Sequence, residues 1–255
     1  MVRGSITRAA GLNANRLCCE EAKPVAIPDN RPQMKIIGIC GSPRKRQSRT
    51  GHLIRDVLAG AQSRGADTEY CDLAALKIDC CNGCNRCHQR GECVQKDDLH
   101  SLLKKMMTAD GLVLGSPVYI DHVTGLLKNL IDRLVNVIHC QRLLGKYGAV
   151  VCTTGGSALK ETADYLERVL RMTGAQTVGM VACQLSDGPI PEGAELLREA
   201  RSLGAVLARA IEESAEFPEQ LQEQEQQRGF IREFIFNNKD RWDWEYRHWK
   251  ERGWF

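Results

Sequence analysis

Residues 35–43 read Lys35-Ile36-Ile37-Gly38-Ile39-Cys40-Gly41-Ser42-Pro43. An apolar run this short, without polar alternation, suits a parallel strand covered on both faces, and Gly41-Ser42-Pro43 stops it where a polar loop begins. Beyond the loop, Leu53, Ile54, Val57, Leu58 and Ala61 recur at helical spacing over residues 50–63, with Ser48 or Thr50 placed to cap the first turn. The unit is strand, loop, helix, and the chain then repeats it. Residues 67–73, 111–115, 147–153 and 176–183 read as four more strands, and 98–107, 158–173 and 192–213 as helices, the first of them opened by Asp97 or Asp98. Val123, Leu126, Leu127, Leu130, Ile131, Leu134 and Val135 recur at three and four and predict one long amphipathic helix. Five strands alternating with helices imply an α/β fold, an open, doubly wound, five-stranded parallel sheet covered on both faces.

With 255 residues, 43% of them hydrophobic, the chain has room for one α/β core with extensions rather than two full domains. A net charge of +3, spread along the chain, excludes a nucleic-acid stripe or a membrane-attracting patch and leaves small molecules and protein as partners. No apolar run reaches the roughly 18 residues of a bilayer span, and the chain reads as cytoplasmic. Arg3, Arg8 and Arg16 precede the first acid, Glu20, so residues 1–33 read as a flexible or subunit-clasping arm in which Cys18 and Cys19 are inert. From 214 to 228 the composition shifts to Glu and Gln, with Pro218 as a break, and the core is expected to end there. All four tryptophans, Trp242, Trp244, Trp249 and Trp254, fall in the last 14 residues beside Tyr246 and Phe255. So much apolar surface calls for packing, on the chain's own core or on a neighbouring subunit.

After the second strand, Cys81, Cys84, Cys87 and Cys93 form C-x2-C-x2-C-x5-C within 13 residues. Cys84 belongs to two C-x2-C units, so three thiols converge from a very short backbone, as around a compact iron-sulfur cube. Bacterial ferredoxins hold a [4Fe-4S] cluster with a comparable run, although its fourth cysteine serves another cluster. Here Gly91 can supply the positive-φ turn that returns Cys93 to the other three. Zinc competes, since four thiolates make a tetrahedral site, but such sites are usually built from two C-x2-C knuckles separated by a long loop. A disulfide framework suits a short secreted chain better than this one. On spacing alone, cluster and zinc both stay open.

In an open parallel sheet, ligands bind outside the carboxyl ends of the strands. Gly41 to Thr50 offers hydroxyls, backbone amides and a helix N-terminus for a phosphate, yet is not a Walker loop. Ser116 to Tyr119 and Thr153 to Ser157 add small side chains, and Tyr119 adds an aromatic face for a flat ring. Taken together, Gly41-Ser42-Pro43-Arg44, the four-cysteine segment with Asp97-Asp98, Gly115-Ser116-Pro117-Val118-Tyr119 and Leu127-Lys128-Asn129-Leu130-Ile131-Asp132-Arg133 resemble the iron-sulfur flavoproteins. These sit within the NAD(P)H-dependent FMN reductase and flavodoxin-like family, and the resemblance covers about residues 35–210.

The resemblance implies a flavodoxin-like sheet with a cysteine-rich loop after strand 2, and N- and C-terminal extensions lie outside it. The chain is thus expected to divide into an arm at 1–33, an FMN-binding domain at 34–213 with its Fe-S loop at 79–97, and an aromatic tail at 214–255. It implies FMN, a [4Fe-4S] cluster on Cys81, Cys84, Cys87 and Cys93, and a homodimer or homotetramer in which one subunit's cluster approaches another's flavin. By position, Ser42, Arg44, Ser48 and Thr50 would hold the FMN phosphate, Ser116, Pro117, Val118 and Tyr119 would line the isoalloxazine, and Thr154, Gly155 and Gly156 would flank its polar edge. The chain departs from the family pattern at Cys80, where proline is frequent, and at Gln47 to Arg49, where asparagine is common.

The implied function is an FMN-dependent oxidoreductase moving electrons between a two-electron donor or acceptor, NAD(P)H among the candidates, and a one-electron partner such as a ferredoxin-like protein. No protein acid or base is required. Two rival readings are an NAD(P)H-dependent flavin or quinone reductase with a zinc or empty cysteine site, and a redox sensor acting through the C-terminal tail. His88 and His122 read as surface or loop histidines, and Cys80 as a spare thiol.

Overall fold

The computed structural model describes residues 33–185, 188, 190 and 193–255; the expected arm, with Cys18 and Cys19, lies outside the described residues except for Gln33. In chain order the elements are β1 (Lys35–Cys40), α1 (Arg49–Gln62), β2 (Asp67–Asp72), α2 (Arg86–Arg90), α3 (Leu99–Thr108), β3 (Gly111–Pro117), α4 (Gly125–Asp132) and α5 (Val135–His139). There follow β4 (Tyr147–Thr154), α6 (Leu159–Met172), β5 (Gln176–Gln184), α7 (Glu195–Glu213), α8 (Pro218–Asn237) and α9 (Asp243–Glu251). All strand pairs are parallel and the order is β2-β1-β3-β4-β5. This is the flavodoxin-like order, and the winding reverses between β1 and β3.

The period-2 alternation of buried strands sorts side chains to the two faces. Ile37, Ile39, Leu112 and Leu114 join Leu102, Leu127, Leu130 and Leu166 from α3, α4 and α6. Ile36, Val113, Ala149 and Val151 join Leu53, Val57, Leu203 and Leu207 from α1 and α7. The second layer closes so tightly that a Cβ on Gly60 would stand 1.9 Å from the Arg201 carbonyl and one on Gly204 1.8 Å from the Val57 carbonyl. Only glycine lets α1 and α7 cross at that separation.

Three details differ from the sequence reading. The strand expected to stop at residue 115 runs on, pairing Ser116 with Cys152 and Pro117 with Thr153. The single long helix expected over residues 123–135 is two helices, because tighter i→i−3 bonds from Arg133 to Leu130 (3.0 Å) and from Leu134 to Ile131 (3.0 Å) end α4. The apolar periodicity survives the break, since Leu130, Ile131, Leu134 and Val137 all enter one core. Pro218, expected as a break, instead opens α8, which takes up most of residues 214–228; at the first turn its missing N–H is tolerated.

The glutamines of α8 cover the open edge of the sheet. Thr177 N donates to Gln220 Oε1 at 2.7 Å, Gln220 Nε2 donates to the Thr177 carbonyl at 2.8 Å, and Gln224 Nε2 donates to the Ala175 carbonyl at 3.0 Å. Side-chain amides thus replace the neighbour that β5 lacks. The aromatic tail packs on its own chain, where Trp242 and the fully buried Trp249 form a third apolar cluster with Cys140, Ile231 and Ile235.

Candidate functional site

At the carboxyl ends of β1, β3 and β4 the loops enclose a cavity of ≈ 430 Å³, within the roughly 300–1,000 Å³ range of small-molecule sites. Ser42, Arg44 and Thr50 line one part of it, Pro117, Val118 and Tyr119 another, and Thr154 and Gly155 a third. The remaining expected residues frame the loops instead. Ser48 Oγ caps α1 by accepting the Gly51 N–H at 2.9 Å. Ser116 Oγ donates to the Pro117 carbonyl at 2.8 Å and accepts the Thr124 N–H at 3.2 Å, and Gly156 N donates to Thr154 Oγ1 at 3.0 Å. Arg49 and Leu185 also line the cavity without having been given a role in the sequence, and Thr153 lines it as the first residue of the loop already expected at Thr153 to Ser157. Arg49 follows the N-cap Ser48, so its position at the helix mouth was the signal available for it.

The cavity has two chemically distinct parts. Arg44, Arg49, Thr50 and the N-terminus of α1 form one end, whose guanidinium charge, hydroxyl and helix dipole suit an anion. Pro117, Val118 and Tyr119 form an apolar wall suited to a flat ring. Tyr119 opens a tight turn in which Tyr119 N donates to the His122 carbonyl at 2.7 Å and His122 N to the Tyr119 carbonyl at 3.2 Å. Ile120 and Asp121 hold φ of 45° and 59° there, a type I′ geometry that L-residues rarely take, and Ile120 is 98% exposed. Asp121 Oδ1 accepts the Ser157 hydroxyl at 2.8 Å and so ties this turn to the loop after β4. A phosphate at one end and a planar ring at the other match FMN, and the residues present fit it.

A second cavity, of ≈ 200 Å³, is lined by all four expected cysteines, Cys81, Cys84, Cys87 and Cys93. Three residues in the left-handed region curl the backbone around it: Gly83 (φ 65°), Asn85 (φ 57°) and Gly91 (φ 75°). Gly91 also lies under Trp244, where a Cβ would meet the indole at 2.2 Å. Cys80 stays apart from this set and donates its S–H to Asn129 Oδ1 at 3.3 Å. Burial pushes the Cys87 thiol up to about 11, reinforced by the Glu245 carboxylate and by Cys93. A bare thiolate is therefore disfavoured at Cys87, whereas four cysteines lining one cavity suit a metal centre that takes the proton's place. The donor set fits an iron-sulfur cluster, and it fits zinc equally well on ligand type.

Two arrangements support this loop from behind. Arg133, at the end of α4, donates to the Asp79 carbonyl at 3.1 Å, to Cys93 Sγ at 3.1 Å and to the Asp97 carboxylate. Burial alone would raise the Asp97 carboxyl, but hydrogen bonds from Arg133, Asp79 N and Leu99 N hold it below the usual range. On the other side, α9 delivers Glu245 with its carboxylate 2.9 Å from His88 Nδ1 and 3.0 Å from His139 Nδ1, and Asn136 Nδ2 donates to it at 3.1 Å. His88, read as a surface or loop histidine, is buried and stacks on Trp242 with centroids 4.0 Å apart. Its partner lies far along the chain, so no local pattern marks it. His122 is exposed, as expected. His88, His139 and Glu245 place three ligand-type atoms within 4.8 Å, but they pair with one another and act as a clamp between tail and cysteine loop.

The match to known proteins agrees with this chemistry. A family model described as NADPH-dependent FMN reductase matches residues 34–188. The chain is 34% identical over 223 residues to an iron-sulfur flavoprotein of Archaeoglobus fulgidus, covering 86% of this chain and 99% of that one. It is 46% identical over 100 residues to an iron-sulfur flavoprotein of Methanocaldococcus jannaschii, covering 39% of this chain and 51% of that one. Among solved structures, a flavone reductase is similar with a TM-score of 0.54 at 20% identity, covering 70% of this chain and 63% of that chain, a likeness of fold alone.

Proposed function

Because this chain belongs to the NADPH-dependent FMN reductase family and, within it, to the iron-sulfur flavoproteins, we propose that it carries FMN in the larger cavity and a [4Fe-4S] cluster on Cys81, Cys84, Cys87 and Cys93. The chain is an FMN-dependent oxidoreductase. In the proposed reaction it exchanges electrons between a two-electron donor or acceptor, NAD(P)H being the family's own reductant, and a one-electron carrier of the ferredoxin type. The observation that carries this reading is that Cys81, Cys84, Cys87 and Cys93 line one cavity while a separate cavity has an anion-binding end and a ring-binding wall.

The cofactors supply the redox chemistry, two-electron and one-electron at the flavin and one-electron at the cluster. The protein's part is to bind and orient. Ser42, Arg44, Arg49 and Thr50 would neutralise the phosphate, Pro117, Val118 and Tyr119 would hold the ring, and Thr154 and Gly155 would face its polar edge. The four cysteines would bind iron as thiolates. The two cavities share no lining residue. That separation is compatible with a homodimer or homotetramer in which one subunit's cluster faces another's flavin, and assembly of this kind, in the cytoplasm, completes the proposal. Among the described residues no helix is long and apolar enough to cross a membrane.

Anaerobic purification followed by iron, acid-labile sulfide, zinc and flavin analysis tests the reading. About four irons, four sulfides and one FMN per chain are expected, with Cys84→Ser losing iron and sulfide while keeping FMN. A colourless metal site rich in zinc, with steady NAD(P)H-dependent quinone reduction in the Cys84→Ser protein, would establish the plain reductase instead.

A further inference from the structure

The side chains of Arg133 and Asp97 are only 1% and 0% exposed, and they pair directly behind Cys93. One nitrogen of the guanidinium, Nη2, lies 3.1 Å from Cys93 Sγ, while Nη1 serves Asp97 and the Asp79 carbonyl. Asp97 is held in turn by the backbone N–H groups of Asp79 (2.9 Å) and Leu99 (3.3 Å). Both ends of the pair are therefore fixed, and only one of them touches a sulfur. Structural need alone does not account for this choice, because a buried ion pair is often no more stabilising than apolar side chains of similar volume. What a buried charge pair does supply is a fixed field in a region of low dielectric.

We propose that Arg133 and Asp97 form a charge pair that sets the reduction potential of the centre bound by Cys81, Cys84, Cys87 and Cys93. This rests on the cluster reading above. Adding one electron from the flavin or from the one-electron carrier makes the centre one unit more negative, and no bond is made or broken. A cation hydrogen-bonded to a ligand sulfur favours that reduced form and raises the potential; an anion one step further out opposes it. Arg133 acts through Cys93 and is a positioning residue rather than a catalytic one. The geometry orders the two opposing charges by distance, with the cation on the sulfur and the anion behind it, so the net effect of the pair is to raise the potential.

The test is an anaerobic redox titration of the full chain, followed by electron paramagnetic resonance, after iron and sulfide have been measured in each sample. Arg133→Met is expected to shift the midpoint to more negative values, Arg133→Lys to shift it less, and Asp97→Asn to shift it to more positive values. Opposite signs distinguish a field effect from structural damage, which does not follow the sign of the charge removed. Unmoved midpoints, or shifts of the same sign in Arg133→Met and Asp97→Asn, overturn the proposal. If Arg133→Met loses its iron, Asp97→Asn and Arg133→Lys decide: a positive shift in the first with a smaller negative one in the second supports it, and an unmoved Asp97→Asn midpoint overturns it. A wild-type protein without iron and sulfide sinks the cluster reading together with this inference, whereas a loaded protein with unmoved midpoints sinks this inference only.

Discussion

At Gly91 two constraints fall on one residue, a φ of 75° and an indole that would lie 2.2 Å from any Cβ. The first belongs to the turn that closes the cysteine loop and was visible in the sequence as a glycine two residues before Cys93. The second comes from Trp244, more than a hundred residues on, and was not. Gly91→Ala is expected to cost roughly 1–3 kcal/mol through the strained backbone and the displaced ring, read by chemical denaturation, and to lower iron retention in the same preparation. The buried carboxylates make a further residue-scale prediction. Burial acts to raise Asp97 and Glu245, but the hydrogen bonds from Arg133 to one and from His139 and His88 to the other hold both below the ordinary range. A depressed folded value contributes stability that is complete above the unfolded carboxylate values near pH 4 and lost as the pH falls through the folded ones. The melting temperature should therefore drop below about pH 4, and Asp97→Asn or Glu245→Gln should flatten that slope; an unchanged slope in both would remove the two groups from the account.

Among the elements, α8 departs furthest from its sequence reading. Its Glu and Gln composition looks like the end of a domain, yet Gln220 and Gln224 spend their amides on the backbone of β5 and the residue before it. A glutamine that pairs with a strand edge cannot be told from a solvated one by composition, because the difference lies in what stands opposite. Gln220→Ala leaves the Thr177 N–H and C=O without these partners and is expected to destabilise the fold by about 1–3 kcal/mol, measured by urea unfolding, with more aggregation as the edge opens. The break between α4 and α5 has a similar origin. The apolar positions continue through it without interruption, while Arg133 at the break reaches the cysteine loop and Asn136 and His139 beyond it reach Glu245. A periodic pattern reports which residues enter the core and not whether the backbone between them turns.

For the whole molecule, the tail joins the cysteine loop and not the larger cavity: Glu245, Trp242 and Trp244 meet His88 and Gly91, whereas no tail residue lines the cavity suited to FMN. Removing residues 238–255 should lower iron content while FMN content stays near one per chain, measured by metal analysis and flavin absorbance. Loss of flavin in step with iron would mean that the tail supports the whole domain.

Read alone, the sequence was enough for the parallel sheet, its five strands, the cofactor-type loops at their carboxyl ends and the four closely spaced cysteines that line one cavity. Each of these is a local property: a buried strand is a short apolar run, a helix a 3.6-residue period, and a metal loop a spacing along a few residues of backbone. Tertiary structure alone decided that Arg133 and Asp97 stand behind Cys93, that Glu245 lies between His88 and His139, and that glutamines finish the sheet. Those contacts join residues 36 to 157 positions apart in the chain. Their pairing depends on which surfaces the packed core brings together, and no periodicity or spacing encodes that.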